Sequence, residues 1–409
     1  MRRKLWFNWH SWAGFKFSIL MSFVLITGTL ATVSMEIDWL VNPALRAQHG
    51  QPDSINWGEI HASARAAYPN SELMFMSAPY APWFNAEVTA RDTQDKPFRI
   101  YVDPVTHTVT GDGPWNNWQR FFRQTHRHLM LPTQIGITIV GLLAIPLFIS
   151  FFSSFFIYKR WWRGFFKWPQ RETTRFRANP VRRSRSFWGD MHRILGIWSL
   201  WFIFLMAVTG SWYLVERWGG AAGFERIGGE TLPPQVTVSG ERLNQLAAVA
   251  KAQYPQLDIQ HIRLNTQENA HIMFQGEAEA VLVRPRANQV AILAGSGEVV
   301  DIRRGHELSV HQRISEMADP LHFGTLAGTP TRIIWFLFGI MMSALSLSGM
   351  YLFGLRIARA EKLPVSQPPS VAWRLSWRDL GIAFRWTTTT LVFVTLALGA
   401  VLFTIEPLA

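Results

Sequence analysis

The sequence of 409 residues contains no cysteine, and only 17% of its residues are charged. The missing cysteine excludes disulfides, iron–sulfur clusters, thiolate zinc sites, cysteine nucleophiles and c-type haem. Soluble domains carry about 25% charged residues, so the low charge favours a membrane protein. The sequence also lacks a P-loop, a dinucleotide-binding G-x-G-x-x-G, a nucleophile elbow and an H-E-x-x-H motif. Candidate cofactor ligands are therefore the twelve histidines, the thirteen methionines and the carboxylates.

Long uncharged stretches are what this composition does contain. Five of them run for about 17 to 24 residues, which is the length that a bilayer core demands. Each is rich in Leu, Ile, Phe and Val, and we interpret each as a transmembrane helix. The five predicted spans are Phe17–Val33, Ile135–Tyr158, Ile194–Val215, Ile333–Leu355 and Trp386–Ile405.

Lys and Arg are unevenly distributed between the two sides of the predicted membrane. Segments 2–4, 159–187 and 356–378 hold 18 basic and two acidic residues, whereas 36–128 and 216–332 hold 19 basic and 23 acidic residues. Cytoplasmic loops carry the excess of Lys and Arg, so we expect a cytoplasmic N-terminus and an extracytoplasmic C-terminus. The net charge of +12 then reflects topology and attraction to anionic lipid, not nucleic-acid binding.

The first and third spans share one spacing, which indicates an internal duplication. The pattern H-x3-G-x13-G occurs in His10, Gly14 and Gly28 and again in His192, Gly196 and Gly210. The N-terminal span could instead be a signal peptide cleaved near Ala31–Ser34. Because this span belongs to the repeat, we expect it to be retained.

The two external segments repeat as well. Ala-Arg-Ala-Ala-Tyr-Pro, which ends at Pro69, resembles Ala-Lys-Ala-Gln-Tyr-Pro, which ends at Pro255, and each closes an amphipathic helical pattern. Alternating runs then predict strands at Ala86–Thr89, Phe98–Val102, Gln260–Leu264, Ala270–Phe274 and Ala280–Val283. Tyr101 to Thr106 reads as a strand that ends in an Asp-Pro turn.

The predicted fold class is therefore a five-helix transmembrane bundle with two duplicated α+β periplasmic domains. The predicted boundaries are 1–35 for the cytoplasmic N-terminus and first helix, 36–134 for the first periplasmic domain, 135–158 for the second helix, 159–187 for a basic cytoplasmic loop, 188–215 for the third helix, 216–332 for the second periplasmic domain, 333–355 for the fourth helix, 356–380 for a cytoplasmic loop, and 381–409 for the fifth helix and a short periplasmic C-terminus.

The duplication produces two pairs of histidines. His10 and His192 share the cytoplasmic side, while His126 or His128 shares the external side with His322. Ionisable residues near membrane-embedded helices are costly and usually functional. Two imidazoles that face each other across an apolar bundle are suited to hold haem iron axially without cysteine. The glycine one turn after each inner histidine would let a flat macrocycle approach.

Each of these features also has a simpler interpretation. A single interfacial histidine is often a polar anchor, and glycines allow close helix packing. His126 and His128 are two residues apart and face different ways on a helix, so we expect only one of them to bind iron. The remaining histidines are expected to be ordinary surface residues: His49, His61, His107, His261, His271, His306 and His311.

The order of these motifs resembles the PepSY-associated transmembrane family, bacterial inner-membrane proteins that include ferric-siderophore reductases. The resemblance covers nearly the whole chain. It rests on His10 with Gly14 and Thr27-Gly28, on Met191 to Gly196, on Thr125 to Leu129, on Leu321 to Gly324, and on the PepSY-like Ala-Tyr-Pro and Tyr-Val-Asp-Pro segments. Thr125 stands where the family has Leu before the histidine, so the choice between His126 and His128 stays open.

This resemblance implies b-type haem bound by histidine pairs and electron delivery to ferric siderophore in the periplasm. The expected protein is a ferric-siderophore reductase of the inner membrane with two haem b groups and a role in iron uptake. Its expected partners are the lipid bilayer, a ferric siderophore, a quinol or other electron donor, and periplasmic siderophore- or iron-handling proteins. Candidate residues for a docking surface are Tyr80, Trp83, Trp115 and Trp118.

Two other classes of function compete with this one. A non-haem, membrane-anchored PepSY-like module would bind a periplasmic peptide or protein, with the histidines as anchors. A transporter built on repeats is less favoured, because both repeats have one orientation and the spans show neither a mid-membrane charge nor a broken helix. A haem protein purifies red, whereas either rival purifies colourless.

Overall fold

The computed structural model describes residues 2–167, 180–224, 238–264, 271–363 and 369–405. Five predicted segments lie partly outside the described residues, namely 1–35, 159–187, 216–332, 356–380 and 381–409. The helices are α1 (Arg2–Lys16), α2 (Ser18–Thr32), α3 (Ser34–Val41), α4 (Trp57–Ala67), α5 (Trp118–His128), α6 (Thr133–Leu142), α7 (Ala144–Ile157), α8 (Pro180–Trp198), α9 (Leu200–Val215), α10 (Gly240–Gln253), α11 (Val310–Phe323), α12 (Thr329–Ala360), α13 (Pro369–Asp379) and α14 (Ile382–Ile405). The strands are β1 (Glu72–Ser77), β2 (Ala86–Arg91), β3 (Pro97–Val102), β4 (Val109–Pro114), β5 (Asp258–Arg263), β6 (His271–Glu277), β7 (Gln289–Leu293) and β8 (Val299–Arg303).

The chain divides into two compact units. The first, helical unit comprises Met1–Val33, Phe121–Gly220 and Arg332–Val401. The second unit comprises Ser34–Arg120, Ala221–Thr331 and Leu402–Ala409. The two external segments are far apart in the sequence, but most of each belongs to this one unit.

Three helical segments in the described residues are long and apolar enough to cross a membrane: Thr133–Ile157, Thr329–Ala360 and Ile382–Phe403. Two more candidate spans are helix pairs that bend sharply at a short break. If each bent pair is one span, the total is five, the number that the sequence predicts. Length and apolar composition are what qualify these helices, since a bilayer core needs about 20 apolar residues.

The two bent pairs are the two copies of the duplicated span. The bend is 67° between α1 and α2 and 62° between α8 and α9. The breaks at Phe17 and Ser199 each come seven residues after the repeat's histidine, His10 or His192. The expectation of an unbroken span was therefore wrong for Ile194–Val215, which contains the break at Ser199, whereas Phe17 is the first residue of the predicted span Phe17–Val33. Uncharged apolar runs report hydropathy and not backbone direction. The lack of a broken helix therefore no longer argues against a transporter.

One antiparallel sheet of eight strands organises the second unit, in the order β4-β3-β2-β1-β5-β6-β7-β8. Each external segment contributes four consecutive strands, and β1 pairs with β5 at the centre. Three residue pairs form this seam, namely Phe75 with Arg263, Met76 with Ile262 and Ser77 with His261. The duplicated segments therefore share one sheet and one hydrophobic core, in which Met76 and Ile262 are fully buried.

The helices α4 and α10, one from each copy, pack on each other through reciprocal glycines. A Cβ atom on Gly58 would lie 2.2 Å from the Gly240 carbonyl oxygen, and one on Gly240 would lie 2.3 Å from the Gly58 oxygen. The Gly58 N–H donates to Asn244 Oδ1 at 2.8 Å across the contact. Both amphipathic helices predicted ahead of the Tyr-Pro motifs are confirmed, and both end at the motif tyrosine, Tyr68 or Tyr254.

Several strand predictions hold, and one does not. The runs at 86–89 and 98–102 lie within β2 and β3, 260–263 lies within β5, and 271–274 lies within β6, whereas Ala270 lies outside the described residues. The run Ala280–Val283 was wrong, because it forms a loop in which Leu282 has φ 56°. The predicted Asp-Pro turn after β3 is confirmed, since Asp103 Oδ1 accepts from the N–H groups of Val105 and Thr106.

Two histidines that the sequence assigned to the surface are buried in the second unit. His61 on α4 is 5% exposed and His271 on β6 is 6% exposed. Both lie at inward positions of their elements, and an amphipathic pattern does not separate a neutral imidazole from an apolar residue there.

Candidate functional site

A cavity of about 420 Å³ lies within the helical unit. That volume falls in the range of small-molecule and cofactor sites, roughly 300–1,000 Å³. Residues of α1, α2, α7, α8, α9 and α12 line it, and most of them are apolar. The polar lining residues are His10, Ser11, Ser150, Ser154, Tyr158, His192, Arg193, Ser346 and Arg356.

The two inner histidines of the repeat meet at this cavity. The ring centroids of His10 and His192 lie 6.3 Å apart, and the ring planes are at 88° to each other. The repeat places them on α1 and α8, each just ahead of its bend. The structure therefore brings together the pair that the H-x3-G-x13-G spacing predicts.

A serine hydroxyl orients each of these imidazoles. Ser153 Oγ lies 2.9 Å from His10 Nδ1, and Ser348 Oγ lies 2.9 Å from His192 Nδ1. Each hydroxyl also donates to the backbone carbonyl three residues earlier, at 3.2 Å. Because a hydroxyl has one proton to donate, it accepts from the imidazole, and Nδ1 carries the ring proton. The unprotonated nitrogen of each neutral ring is then Nε2, which is left available to a metal.

The spacing of the two rings fits one metal ion between them. Two metal–imidazole bonds of about 2 Å, with about 1 Å from each nitrogen to its ring centre, together span about 6 Å. The observed separation of 6.3 Å agrees with that span. Among the described residues no group of three or more His, Asp or Glu side chains could hold a metal ion. Two imidazoles alone suit an ion whose other ligands come from a macrocycle.

Glycines keep the space beside these rings open. A Cβ atom on Gly14 would meet nothing within 4 Å, and one on Gly196 would meet a Leu345 methyl at 3.7 Å. Both glycines line the cavity, as expected for the approach of a flat ligand. A third glycine, Gly349 on α12, would place a Cβ 3.3 Å from His192 Cε1.

Three residues at this site, Ser153, Ser348 and Gly349, were not predicted from the sequence. The available signal was weak, because the same two helices also carry Ser150 and Ser154 in α7 and Ser343 and Ser346 in α12, and nothing in the sequence distinguishes the two orienting serines from these. Ser348 and Gly349 are adjacent on α12, and both contact His192.

His126 on α5 packs against the first copy of the repeat. Its Nδ1 lies 2.8 Å from the carbonyl oxygen of Val24 on α2. A carbonyl only accepts, so Nδ1 again carries the proton and Nε2 is the ligand nitrogen of the neutral ring. A Cβ atom on Gly28 would lie 2.6 Å from two atoms of this imidazole. The repeat glycine Gly28 therefore makes room for His126, a role that its spacing alone did not indicate.

His128 lies at the end of the same helix in a different setting. Its Nδ1 is buried and has no hydrogen-bond partner among the residues that the structure describes. Its carbonyl oxygen would lie 2.0 Å from a Cβ atom on Gly136. The next two residues, Leu129 and Met130, both have φ 56°, which turns the chain from α5 into α6. Such left-handed backbone is unusual for residues with side chains. Of the two alternatives, His126 resembles the inner histidines, because the Nδ1–H of each of these three rings donates to an oxygen of the protein.

His322 belongs to the second unit, near the end of α11. A capping box at Ser309 begins this helix, and Gly324 ends it in the left-handed conformation. The fully buried Glu316 holds α11 by a bidentate bond from Arg284, at 2.7 and 2.9 Å. Because His126 and His322 belong to different units, the outer pair stays a prediction.

The four aromatic residues suggested for docking have different environments. Tyr80 and Trp83 are each 40% exposed, in the loop between β1 and β2. The Trp115 ring lies under two guanidinium groups, those of Arg99 at 5.1 Å and Arg120 at 4.1 Å. Trp118 begins α5, and its N–H donates to Asp38. Tyr80 and Trp83 therefore stay candidates for a docking surface.

Comparison with known proteins gives one positive result. A family model described as the PepSY-associated TM region matches residues 7–356. A comparison with curated proteins finds no significant match. The family match spans both copies of the repeat and includes His10, His126, His192 and His322. The chain therefore belongs to the PepSY-associated transmembrane family.

Proposed function

We propose that this chain is a dihaem b-type electron-transfer protein of the bacterial inner membrane. It reduces ferric siderophore in the periplasm, where Fe³⁺ becomes Fe²⁺ and is released. In this proposal the N-terminus is cytoplasmic, the C-terminus is periplasmic and five spans cross the membrane. Membership of a transmembrane family and the three to five candidate spans support a membrane protein, and the uneven distribution of Lys and Arg supports this orientation.

The observation that carries the proposal is the geometry of the inner histidine pair. His10 and His192 border one mostly apolar cavity with a ring separation of 6.3 Å. Each imidazole donates Nδ1–H to a serine, so each has Nε2 available for iron. Ordinary interfacial anchors require neither this common tautomer nor a shared cavity.

Haem iron changes reversibly between the ferric and ferrous states, and so it passes one electron at a time. The protein supplies the rest. His10 and His192 bind the inner group, and the apolar lining of the cavity excludes water from it. Ser153 and Ser348 hold the ligand tautomer and make each imidazole a stronger donor to iron.

Of the two candidates on α5 for the outer haem, His126 is preferred to His128 because of its bond to Val24, and His322 is the second ligand that the sequence predicts. A quinol or another donor supplies electrons on the cytoplasmic side, since the predicted cytoplasmic segments are too short to fold a flavin or nicotinamide domain. One electron reduces one Fe³⁺, and siderophores hold the resulting ferrous ion less tightly because it is a softer cation. Tyr80 and Trp83 offer exposed aromatic surface for the ferric chelate.

The first test is a dithionite-reduced minus oxidised spectrum of the purified protein, with a pyridine haemochrome count per chain. We expect about two b-type haems per chain, and about one in His192→Ala. His306→Ala, which removes a half-exposed histidine of the second unit, is the control and should keep both. A colourless wild-type protein would overturn the proposal and favour a non-haem binding module. An unchanged count in His192→Ala would overturn the assignment of the inner pair.

A further inference from the structure

Two arginines border the cavity, and they differ in how their charge is balanced. Arg193 follows His192 and forms an ion pair with Asp190 at 3.2 Å. It also donates to the backbone carbonyls of Gly164 and Lys167, at 3.3 and 3.1 Å. The hydrogen-bonding capacity of Arg193 is therefore largely used by the protein itself.

Arg356 on α12 has only neutral contacts. Its guanidinium lies over the rings of Phe353 at 4.6 Å and Phe7 at 5.6 Å, and Nη1 donates to Ser11 Oγ at 3.3 Å. Within the described parts of the chain, no carboxylate lies within ion-pair distance of it. Contact with ring faces leaves the in-plane N–H groups of a guanidinium directed outward. Most of its five donors are therefore available to a ligand.

The position of Arg356 relates it to the inner histidine pair. Ser11, which receives its hydrogen bond, is the residue directly after His10, and both line the cavity. Ser348, which orients His192, lies two helical turns earlier on α12. The free donors of Arg356 thus border the same cavity as both candidate iron ligands. A partly buried cation at a mostly apolar cavity needs an anion to offset its desolvation.

We propose that Arg356 binds a carboxylate of the ligand that fills this cavity. This inference rests on the proposed function, under which the carboxylate is a propionate side chain of the inner haem. The planar guanidinium matches a carboxylate in a bidentate way, which a lysine ammonium cannot reproduce. Arg356 then fixes the orientation of the macrocycle, while His10 and His192 bind its iron.

The first test measures how fast haem leaves the full-length protein for a soluble haem-scavenging protein in excess. Of the two expected kinetic phases, one should become about ten- to a hundredfold faster in Arg356→Gln. Arg356→Lys should give an intermediate rate, because lysine keeps the positive charge but cannot form the bidentate hydrogen bond. The control Arg359→Gln removes an exposed arginine from the same helix and should leave both phases unchanged. Equal rates in Arg356→Gln and wild type would overturn the inference.

The second test compares haem with haem dimethyl ester, which lacks free carboxylates. Full-length protein from cells that make no haem should bind haem at the inner site more tightly than the ester. Arg356→Gln should lose this preference, and Arg359→Gln should keep it. Binding without any preference in the wild type would overturn the role of Arg356 while leaving the proposed function intact. Failure of the wild type to bind haem at all would instead overturn the proposed function.

Discussion

At the residue scale, one hydroxyl proton determines which nitrogen of an imidazole is protonated and which is left with a free lone pair. Ser348 Oγ gives its proton to a backbone carbonyl and accepts from His192 Nδ1. Ser153 does the same for His10. The two copies of the repeat reach this arrangement on different helices, α7 and α12, so it is a property of the site and not of one local sequence.

Removing one of these hydroxyls should weaken the inner site without removing a ligand. In Ser348→Ala the His192 N–H loses its acceptor and the imidazole becomes a poorer donor. We expect haem affinity about 10- to 100-fold lower, and a higher midpoint potential, since a weaker donor favours ferrous iron. Spectroelectrochemical titration and haem dissociation measure these changes.

Two variants make that prediction specific. Ser348→Thr keeps the hydroxyl and should restore the wild-type potential. Ser154→Ala removes a hydroxyl that also lines the cavity but bonds to the carbonyl of Phe151. It should have little effect, and a loss of affinity equal to that in Ser348→Ala would show that tautomer control is not the cause.

At the element scale, close approach between helices depends on single glycines. α2 can receive the His126 ring because Gly28 has no side chain. In the other copy of the repeat, a Cβ on Gly210 would meet nothing within 4 Å. The same motif position therefore allows close packing at Gly28 in α2, whereas Gly210 in α9 faces open space.

We expect Gly28→Ala to displace His126, because the new methyl would lie 2.6 Å from an imidazole that the Val24 carbonyl holds in place. The outer haem should be lost or become high-spin, while the inner one is retained. The haemochrome count and the low-temperature spectrum report this. The control is Gly210→Ala, its repeat counterpart, and equal losses in the two variants would contradict the assigned role of Gly28.

Hydropathy predicted where the spans lie but not that two of them bend. Apolar runs reflect the free energy of transferring side chains from water to the membrane, and this free energy does not depend on whether the helix is straight or bent. The bends at Phe17 and Ser199 depend on packing between helices. The amphipathic helices α4 and α10 and four of the strands were predictable, because one face of each is buried. The strands β1, β4, β7 and β8 were missed, and β4 lacks the alternation that would mark it.

At the scale of the whole molecule, the repeat was visible in the sequence, but its closure into one sheet was not. The seam between β1 and β5 joins residues far apart along the chain, and no local pattern encodes such a pairing. The inner pair was predictable because both copies repeat the spacing around His10 and His192. The serines and Arg356 were not, since they come from α7 and α12, outside that motif.

Stability of the second unit should depend on pH through buried histidines. Burial lowers the pKa of His61 to about 4, with a further contribution from the charge of Arg65, and burial lowers that of His261 to about 4. Unfolded histidine takes a proton near pH 6.5. Stability that is present above pH 6.5 is therefore lost as the pH falls toward 4. Burial raises the pKa of Asp38 to about 6, which acts in the opposite direction.

We expect His61→Gln to reduce this acid sensitivity. Relative to wild type, the variant should lose about 2–3 kcal/mol less between pH 6.5 and 4, since one pKa unit is about 1.4 kcal/mol. Thermal unfolding followed by tryptophan fluorescence across that range measures the difference. His306→Gln, at a half-exposed position, is the control. Parallel pH profiles for wild type and His61→Gln would contradict the prediction.

The central seam of the sheet also has a consequence for biosynthesis. Ser77 on β1 and His261 on β5 are 184 residues apart, so β1 emerges from the ribosome long before its partner strand exists. Until then it presents an unpaired edge, the kind of surface on which β proteins aggregate. Helices α6 to α9 are synthesised during this interval. Substitutions that delay their insertion would therefore lower the yield of protein even where they leave the finished sheet untouched.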